Sequence, residues 1–318
     1  MGNIPPSIGN LNFLAEMHLR HNNLSGELPQ SLQHCTNLLT LDLGENEFTG
    51  SIPIWIGNTF SNLIVLNLRA NKFQGDIPYE LCRLGALQIL DLAHNNLSGL
   101  VPRCFNNFSA MARKQNSSNH LSYYTYRGEY FESATLVTKG REVLYTTNLK
   151  LVTSMDLSEN NLFGEIPEEL TRLVGLWSLN LSRNHLTGRI PKNIGDMGQL
   201  ESLDCSLNQL SGKIPSSTQL QSLDESSFIG NKLCGPPLTN CSTNTAIAKV
   251  GHGGEEDEGL SEVWFFSSLA LGFVVGFWVV VGLLLFKMSW RDAYFMFLDR
   301  IGHKLSNFIF KCCYLLCK

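Results

Sequence analysis

An asparagine returns every 24 or 25 residues along most of this chain, and that period decides what the chain can fold into. The positions are Asn22, Asn46, Asn71, Asn95, Asn160, Asn184 and Asn208, spaced 24, 25, 24, 65, 24 and 24. The prolines keep the same beat at Pro5, Pro29, Pro53, Pro78, Pro102, Pro167, Pro191 and Pro215. One unit reads LLTLDLGENEFTGSIP and another LWSLNLSRNHLTGRIP. A fixed period of this length marks stacked units, none of which buries its apolar face alone. Leu-x-Leu alternation makes a short strand whose leucines point inward and whose intervening residues point outward. The Asn side chain sits where the chain turns away and bonds neighbouring backbone groups, so stacked units build an internal Asn ladder. Gly before the Ile-Pro pair permits a tight bend, and Pro removes a donor on the outer side.

Composition serves this plan. There are 51 Leu and 28 Asn, while charged residues are 16%, against a usual share of about 25%. That balance excludes a disordered chain. A net charge of −4 supplies no basic field for nucleic acid. No phosphate-cradling Gly-rich loop, metal-spaced Cys/His cluster or nucleophile elbow occurs. The expectation is therefore a chain that is not an enzyme, with no metal, no cofactor and no nucleic-acid partner.

The pattern L-x-x-L-x-L-x-x-N-x-L-x-G-x-I-P over residues 1–230 resembles the plant-specific leucine-rich repeat. The resemblance implies an α/β leucine-rich-repeat solenoid, curved and right-handed, with a parallel sheet on its concave face. One residue per strand faces outward at the same point of each repeat: His18, Asp42, Asn67, Asp91, Asp156, Asn180 and Asp204.

One gap breaks the rhythm. The 65-residue step is one 24-residue repeat plus 41 residues, placing an insert at 106–147, between arrays at 1–105 and 148–215. Inserts this long in compact arrays are usually functional or unstructured. Tyr123, Tyr124, Tyr126, Tyr130 and Phe131 crowd its middle, and SATLVTKGREVLYTT alternates as strands do. An island at this place resembles that of plant leucine-rich-repeat receptor-like proteins. Tyr130, followed after eight residues by Lys139-Gly140, is similar to that family's island motif. The resemblance implies that Tyr130, Lys139 and Gly140 help seat a ligand and a co-receptor.

The cysteines point outside the cell. Cys234 and Cys241 bracket a short loop after the last repeat; bonded, they would close the bare end of the array, as the family's C-terminal cap over 216–250 does. Cys82 and Cys104 lie nearly one repeat apart, which brings them within bridging range on adjacent coils. Cys205 replaces a strand leucine and, like Cys35, is expected to be a buried free thiol. Glycan acceptor motifs occur at Asn23, Asn96, Asn107, Asn116, Asn180 and Asn240.

After an acidic stretch at 251–262 comes VWFFSSLALGFVVGFWVVVGLLLF at 263–286, 24 residues without a charge. At about 1.5 Å per residue it spans a hydrocarbon core of roughly 30 Å with tilt, as one transmembrane helix. Beyond it, six Lys and Arg against Asp292 and Asp299 put the tail in the cytosol and the repeats outside. The expected localisation is the plasma membrane, single-pass. Ser268, Gly272 and Gly276 line one helix face and permit close approach of a partner helix.

The tail, 287–318, has no Gly-rich loop, Lys strand or catalytic Asp loop of a kinase. SWRDAYFMFLD resembles the tail of the fungal-elicitor and scab-resistance type of receptor-like protein. Tyr294 to Phe297 reads as an endocytic signal, and Cys312, Cys313 and Cys317 as acylation sites. Met1-Gly2-Asn3-Ile4-Pro5 reads as the end of a repeat with no secretory n- and h-region, so an N-terminally truncated copy of a larger receptor is expected.

The resemblance implies a kinase-less cell-surface receptor of plant defence. Its ligand would be an extracellular microbial peptide, protein or glycan, and its signal would leave through a receptor-like kinase adaptor and a co-receptor kinase. The alternative is a non-sensing subunit or decoy: a developmental co-receptor, or a relic without signalling.

Overall fold

The computed structural model describes residues 2–113, 124–125, 128–129, 134–138, 141–145 and 152–241. All lie in one compact unit, Met1–Asn244; a second, Thr245–Lys318, falls outside the described residues. The expected membrane segment 263–286 belongs to that second part. Among the described residues no helix is long and apolar enough to cross a membrane.

Seven three-residue strands form one parallel sheet: Glu16–His18, Thr40–Asp42, Val65–Asn67, Ile89–Asp91, Ser154–Asp156, Ser178–Asn180 and Ser202–Asp204. Each middle residue, from Met17 to Leu203, enters the core, and its two neighbours face the concave side. A second row of short strands follows each turn, beginning at Ser25–Gly26 and Glu47–Gly50. The return leg of each coil carries a five-residue helical turn after proline, such as Gln30–His34 after Pro29 or Glu168–Arg172 after Pro167. Almost all of these are 3₁₀, so the helical half of the expected α/β repeat is not α-helical. A coil of 24 residues leaves room for one tight turn, and Pro sets its entry angle.

The core is a single column of leucines and isoleucines with Phe48, Phe60, Phe73, Phe105, Phe108 and Phe228 at its edges, all fully buried. The Asn ladder runs beside it. Asn46 donates to the carbonyls of Leu19, Leu43 and Gly44 at 2.9–3.0 Å and accepts from the Leu24 amide at 3.0 Å. Asn71, Asn95, Asn160, Asn184 and Asn208 repeat this set, each tying its coil to the one before. The ladder has one rung more than the spacing suggested. Asn231 donates to Cys205 O at 2.9 Å and accepts from Leu210 N at 2.9 Å, which carries the repeat into the expected cap.

The residue before each rung from Asn22 to Asn208 holds a left-handed conformation without being glycine: His21, Glu45, Ala70, His94, Glu159, Arg183 and Leu207, φ 50 to 57°; before Asn231 the place is taken by Gly230, φ 73°. Their side chains share no chemistry. The ladder bonds on either side fix the turn and override local preference.

Across the insert the sheet does not break. Ile89–Asp91 pairs directly with Ser154–Asp156 in register, and Leu100 bridges Phe163 in the second row. The array also keeps its path past residue 105. Arg103–Asn107 takes the usual 3₁₀ place, and Phe108 and Met111 are buried where leucines normally sit. The Gly175 amide binds Met111 O at 2.9 Å, and a Cβ on Gly175 would stand 2.0 Å from Arg113 O. Residues 106–113 therefore belong to the fourth coil, and the insert leaves the array after Arg113. Within it, Ala134–Thr138 pairs antiparallel with Arg141–Tyr145, as the alternation in SATLVTKGREVLYTT predicts.

Candidate ligand-binding face

The concave sheet presents three outward columns. The first runs Glu16, Thr40, Val65, Ile89, Ser154, Ser178 and Ser202, and the second His18, Asp42, Asn67, Asp91, Asp156, Asn180 and Asp204. The third, two residues later, is Arg20, Gly44, Arg69, Ala93, Ser158, Ser182 and Ser206. Acids and amides of the second column accept the amide of the third at about the same distance throughout: Asp42 from Gly44 at 3.1 Å, Asp91 from Ala93 at 3.1 Å and Asp204 from Ser206 at 2.9 Å. One oxygen of each carboxylate therefore serves the turn, and in Asp156 the other meets Arg69 and Asn180.

Where the island leaves and returns, this column becomes an ionic site. Arg69 Nη1 stands 3.1 Å from Asp156 Oδ2 and 3.6 Å from Asp91 Oδ1. The carboxylates come from sequence positions 65 apart, brought onto neighbouring strands by the extruded insert. All three side chains are largely shielded. Burial pushes the Asp91 carboxyl up to about 7, the Asp156 carboxylate adds to the rise, and Arg69 opposes it. Burial by itself would lower the Arg69 guanidinium, but Asp91 and Asp156 outweigh it and raise it. Asn180 extends the network by donating to Asp156 Oδ2 at 3.3 Å.

Beside this polar centre lies an apolar cluster of Ile64, Val65, Ile89 and Val152, with Leu39 and Trp177 packed against it. Farther along the turn, His94 and Arg183 flank Glu159 at 2.8 and 3.5 Å. A guanidinium between two acids stands beside this buried cluster, in which the half-buried Leu39 and Trp177 offer apolar surface, and the pairing suits a ligand with both polar and apolar groups. In the sequence Asp91 and Asp156 stand out only as members of the outward column, and nothing there marks Arg69 or Trp177. The readable signal was the 65-residue step itself, which makes Asp91 and Asp156 neighbours once 41 residues are removed.

Of the other expected sites, Cys82 and Cys104 are bonded, Cα atoms 5.7 Å apart, on the coils before the island. Cys234 and Cys241 are bonded after the last rung, Cα atoms 5.0 Å apart. Cys35 and Cys205 are free, buried thiols, both raised by burial. Asn23, Asn107 and Asn240 are exposed. Asn96 is exposed and accepts from Asn161 Nδ2 at 2.6 Å. Asn180 is half-buried on the concave face, its amide oxygen taking both the amide and the hydroxyl of Ser182 at 3.1 and 2.8 Å. Tyr130, Lys139, Gly140, Asn116, Ser268, Gly272, Gly276, Tyr294 and Phe297 lie outside the described residues. Among the described residues no cluster of His, Cys, Asp and Glu is arranged to hold a metal ion.

The Leucine Rich Repeat family matches residues 13–35, 37–59, 62–84, 86–108, 151–173, 175–197 and 199–223, leaving the island between the fourth and fifth matches. Receptor-like protein EIX1 of Solanum lycopersicum is 47% identical over 84% of this chain. This chain spans 30% of that relative's length. The ectodomain of the Arabidopsis thaliana receptor kinase GASSHO1/SCHENGEN3, solved with CASPARIAN STRIP INTEGRITY FACTOR 2, is similar with TM-score 0.60 and 35% identity, over 76% of this chain and 24% of that one. The Arabidopsis receptor kinase HAESA, solved with the peptide hormone IDA and the co-receptor SERK1, gives TM-score 0.56 and 29% identity over 78% of this chain and 34% of that one. Matched coil by coil on both sides of its island, the chain belongs to the leucine-rich-repeat family, and over most of its length it is similar to a plant receptor-like protein.

Proposed function

We propose that this chain is part of a kinase-less cell-surface receptor of plant defence that binds an extracellular ligand and signals through a partner receptor kinase. The observation that carries the reading is the sheet's continuity across the insert. Ile89–Asp91 and Ser154–Asp156 pair directly, so the concave sheet needs no strand from the island, which suits a segment that serves recognition. The ligand would lie over Arg69, Asp91, Asp156 and the apolar cluster, with Tyr130, Lys139 and Gly140 of the island beside it. HAESA, solved with a peptide hormone and a co-receptor, supports a ligand-plus-partner arrangement. Residues 263–286 would hold the chain in the plasma membrane with the repeats outside, and Ser268, Gly272 and Gly276 would face the partner's helix.

The test is expression in leaves behind a secretory leader, with a tag on the cytosolic tail. Co-precipitation should recover a receptor kinase, and Gly272→Leu with Gly276→Leu should reduce it while surface abundance holds. Microbial culture fractions should trigger an oxidative burst that Arg69→Ala with Asp156→Ala abolishes. Full response and full kinase recovery from these variants would overturn the reading.

A further inference from the structure

The concave sheet stops one strand before its scaffold does. In each interior pair the later strand's amides donate back and the earlier strand's donate forward, as Ser202 N does to Trp177 O at 3.2 Å and Leu181 N to Asp204 O at 2.8 Å. The same offset places Ser227 O on Cys205 N at 2.8 Å and Ile229 O on Leu207 N at 2.8 Å. Glu225–Ser227 therefore stands where an eighth strand would begin, yet it is a 3₁₀ turn. Asp224 causes this. Its carboxylate takes the Ser226 amide at 2.8 Å and its carbonyl takes the Ser227 amide at 3.1 Å. The Ser227 amide, which in a strand would reach Leu203 O, is thus already spent.

The consequence is an open edge. Among the described residues, the amide and carbonyl of Leu203 and the carbonyl of Glu201 have no hydrogen-bond partner on the side facing the cap. Leu203 is 1% exposed with Glu225–Ser227 beside it, so its main chain stays unpaired at a cost, and an incoming strand reaches it once that turn swings aside. A cleft of about 790 Å³ lies over the last two strands and against the cap, with Ser178, Asn180, Glu201, Asp204 and Asp224 in its walls and no Lys or Arg among its lining residues. Gln219 closes one end by donating to Leu200 O.

We propose that this cleft takes an extended, basic peptide segment of a partner protein as an eighth strand of the concave sheet. Leu203 would exchange main-chain hydrogen bonds with it, Glu201 O would accept another, and Glu201, Asp204 and Asp224 would meet its Lys or Arg side chains. Strand addition gives affinity through the backbone and selectivity through alternate side chains. The charge decides the occupant. The chain's own continuation carries Glu255, Glu256, Asp257 and Glu258, which the acidic walls repel. The inference stands apart from the receptor reading, since it concerns the sheet edge and not the ligand over Arg69.

The experiment uses the full chain in nanodiscs and three synthetic probes: acetyl-(Val-Lys)₄-amide, acetyl-(Val-Glu)₄-amide, and the lysine peptide N-methylated at alternate residues. Fluorescence anisotropy should show the lysine peptide binding at least about tenfold tighter than either control, since loss of charge attraction or of two backbone bonds each removes that much. Hydrogen exchange over residues 200–206 should slow when the lysine peptide is bound. Glu201→Lys, an exposed position, should weaken the lysine peptide by about tenfold and leave exchange in the first four coils unchanged. Equal binding of the methylated peptide would reduce the cleft to a charge patch and overturn strand addition. Absence of binding by all three at millimolar concentration would overturn it as well. So would amides at 200–206 that are protected without peptide and released when residues 242–262 are deleted, because the chain's own segment would then hold the edge.

Discussion

Asn160 is the rung that joins the two arrays across the island, and its truncation should loosen that joint more than any change at the ladder's start. Its amide nitrogen reaches Leu92 O at 3.0 Å, Leu157 O at 3.2 Å and Ser158 O at 3.1 Å, and its oxygen accepts Leu97 N at 3.0 Å. Asn160→Ala leaves the Leu97 amide unpaired inside the core, where Leu97 is fully buried. One stranded buried donor costs about 2 kcal/mol, and the two N–H groups of the Asn160 amide lose about 0.5 kcal/mol each, for a total of about 3 kcal/mol. At 1.4 kcal/mol per tenfold this is about a hundredfold increase in local opening. Asn22 is the control: it is exposed and, among the described residues, bonds Leu19 O and Arg20 O, both at 3.0 Å. Its truncation should cost below about 1 kcal/mol. Hydrogen exchange with mass spectrometry on the full chain reads the difference directly. Segments 92–100 and 157–163 should exchange about a hundredfold faster in Asn160→Ala, with the first two coils little changed, because repeats couple chiefly to their neighbours. A change below about threefold, or one matched by Asn22→Ala, would refute the ladder as the element that carries coil-to-coil stability.

Cys82→Ser with Cys104→Ser, opening a 22-residue separation, should lower stability by about 3 kcal/mol, and Cys234→Ser with Cys241→Ser, a separation of 7, by about 2 kcal/mol on the chain-entropy account. Urea midpoints in the reverse order would count against that account. The Asp91 carboxyl, raised to about 7 in the folded chain from about 3.9 unfolded, binds its proton more tightly when folded. Its contribution is thus most favourable at low pH and is lost as pH rises from about 4 to 7. Thermal midpoints should fall across that window, and Asp91→Asn should flatten the fall; an unchanged slope would place the titration elsewhere. Gly175→Ala sets a Cβ 2.0 Å from the Arg113 carbonyl, whereas Gly198→Ala meets nothing within 4 Å. The first should cost about 2 kcal/mol or more and the second close to nothing, measured as paired melting curves.

Much of the fold was written in the spacing, because each ladder Asn and each Pro has one physical task at one place per coil. Legibility failed where another residue performs the same task. Phe108 and Met111 fill leucine positions, so the fourth coil looked finished eight residues early. Asn231 sits in FIGNKLCG, where Phe228 and Leu233 stand in for the usual pair and the strand before it is replaced by a turn. The left-handed column from His21 to Leu207 has no sequence signature, since the neighbouring coils impose it. The Arg69–Asp91–Asp156 site was hidden for a different reason. Each residue is ordinary in its own repeat, and only stacking turns three ordinary positions into one charged centre.

The joint at the island has a consequence for how such a chain can change. Both roots of the insert are held by contacts in space: the Met111 carbonyl by Gly175, and the Ser154 amide by the Gln88 carbonyl at 2.9 Å. The span between those roots is therefore fixed by the coils, whatever length of chain leaves and returns. Closing a loop twice as long costs only about 0.6 kcal/mol more. The array thus behaves as a socket of constant gauge, into which recognition sequences of different length can be exchanged while every rung, strand and core leucine keeps its address.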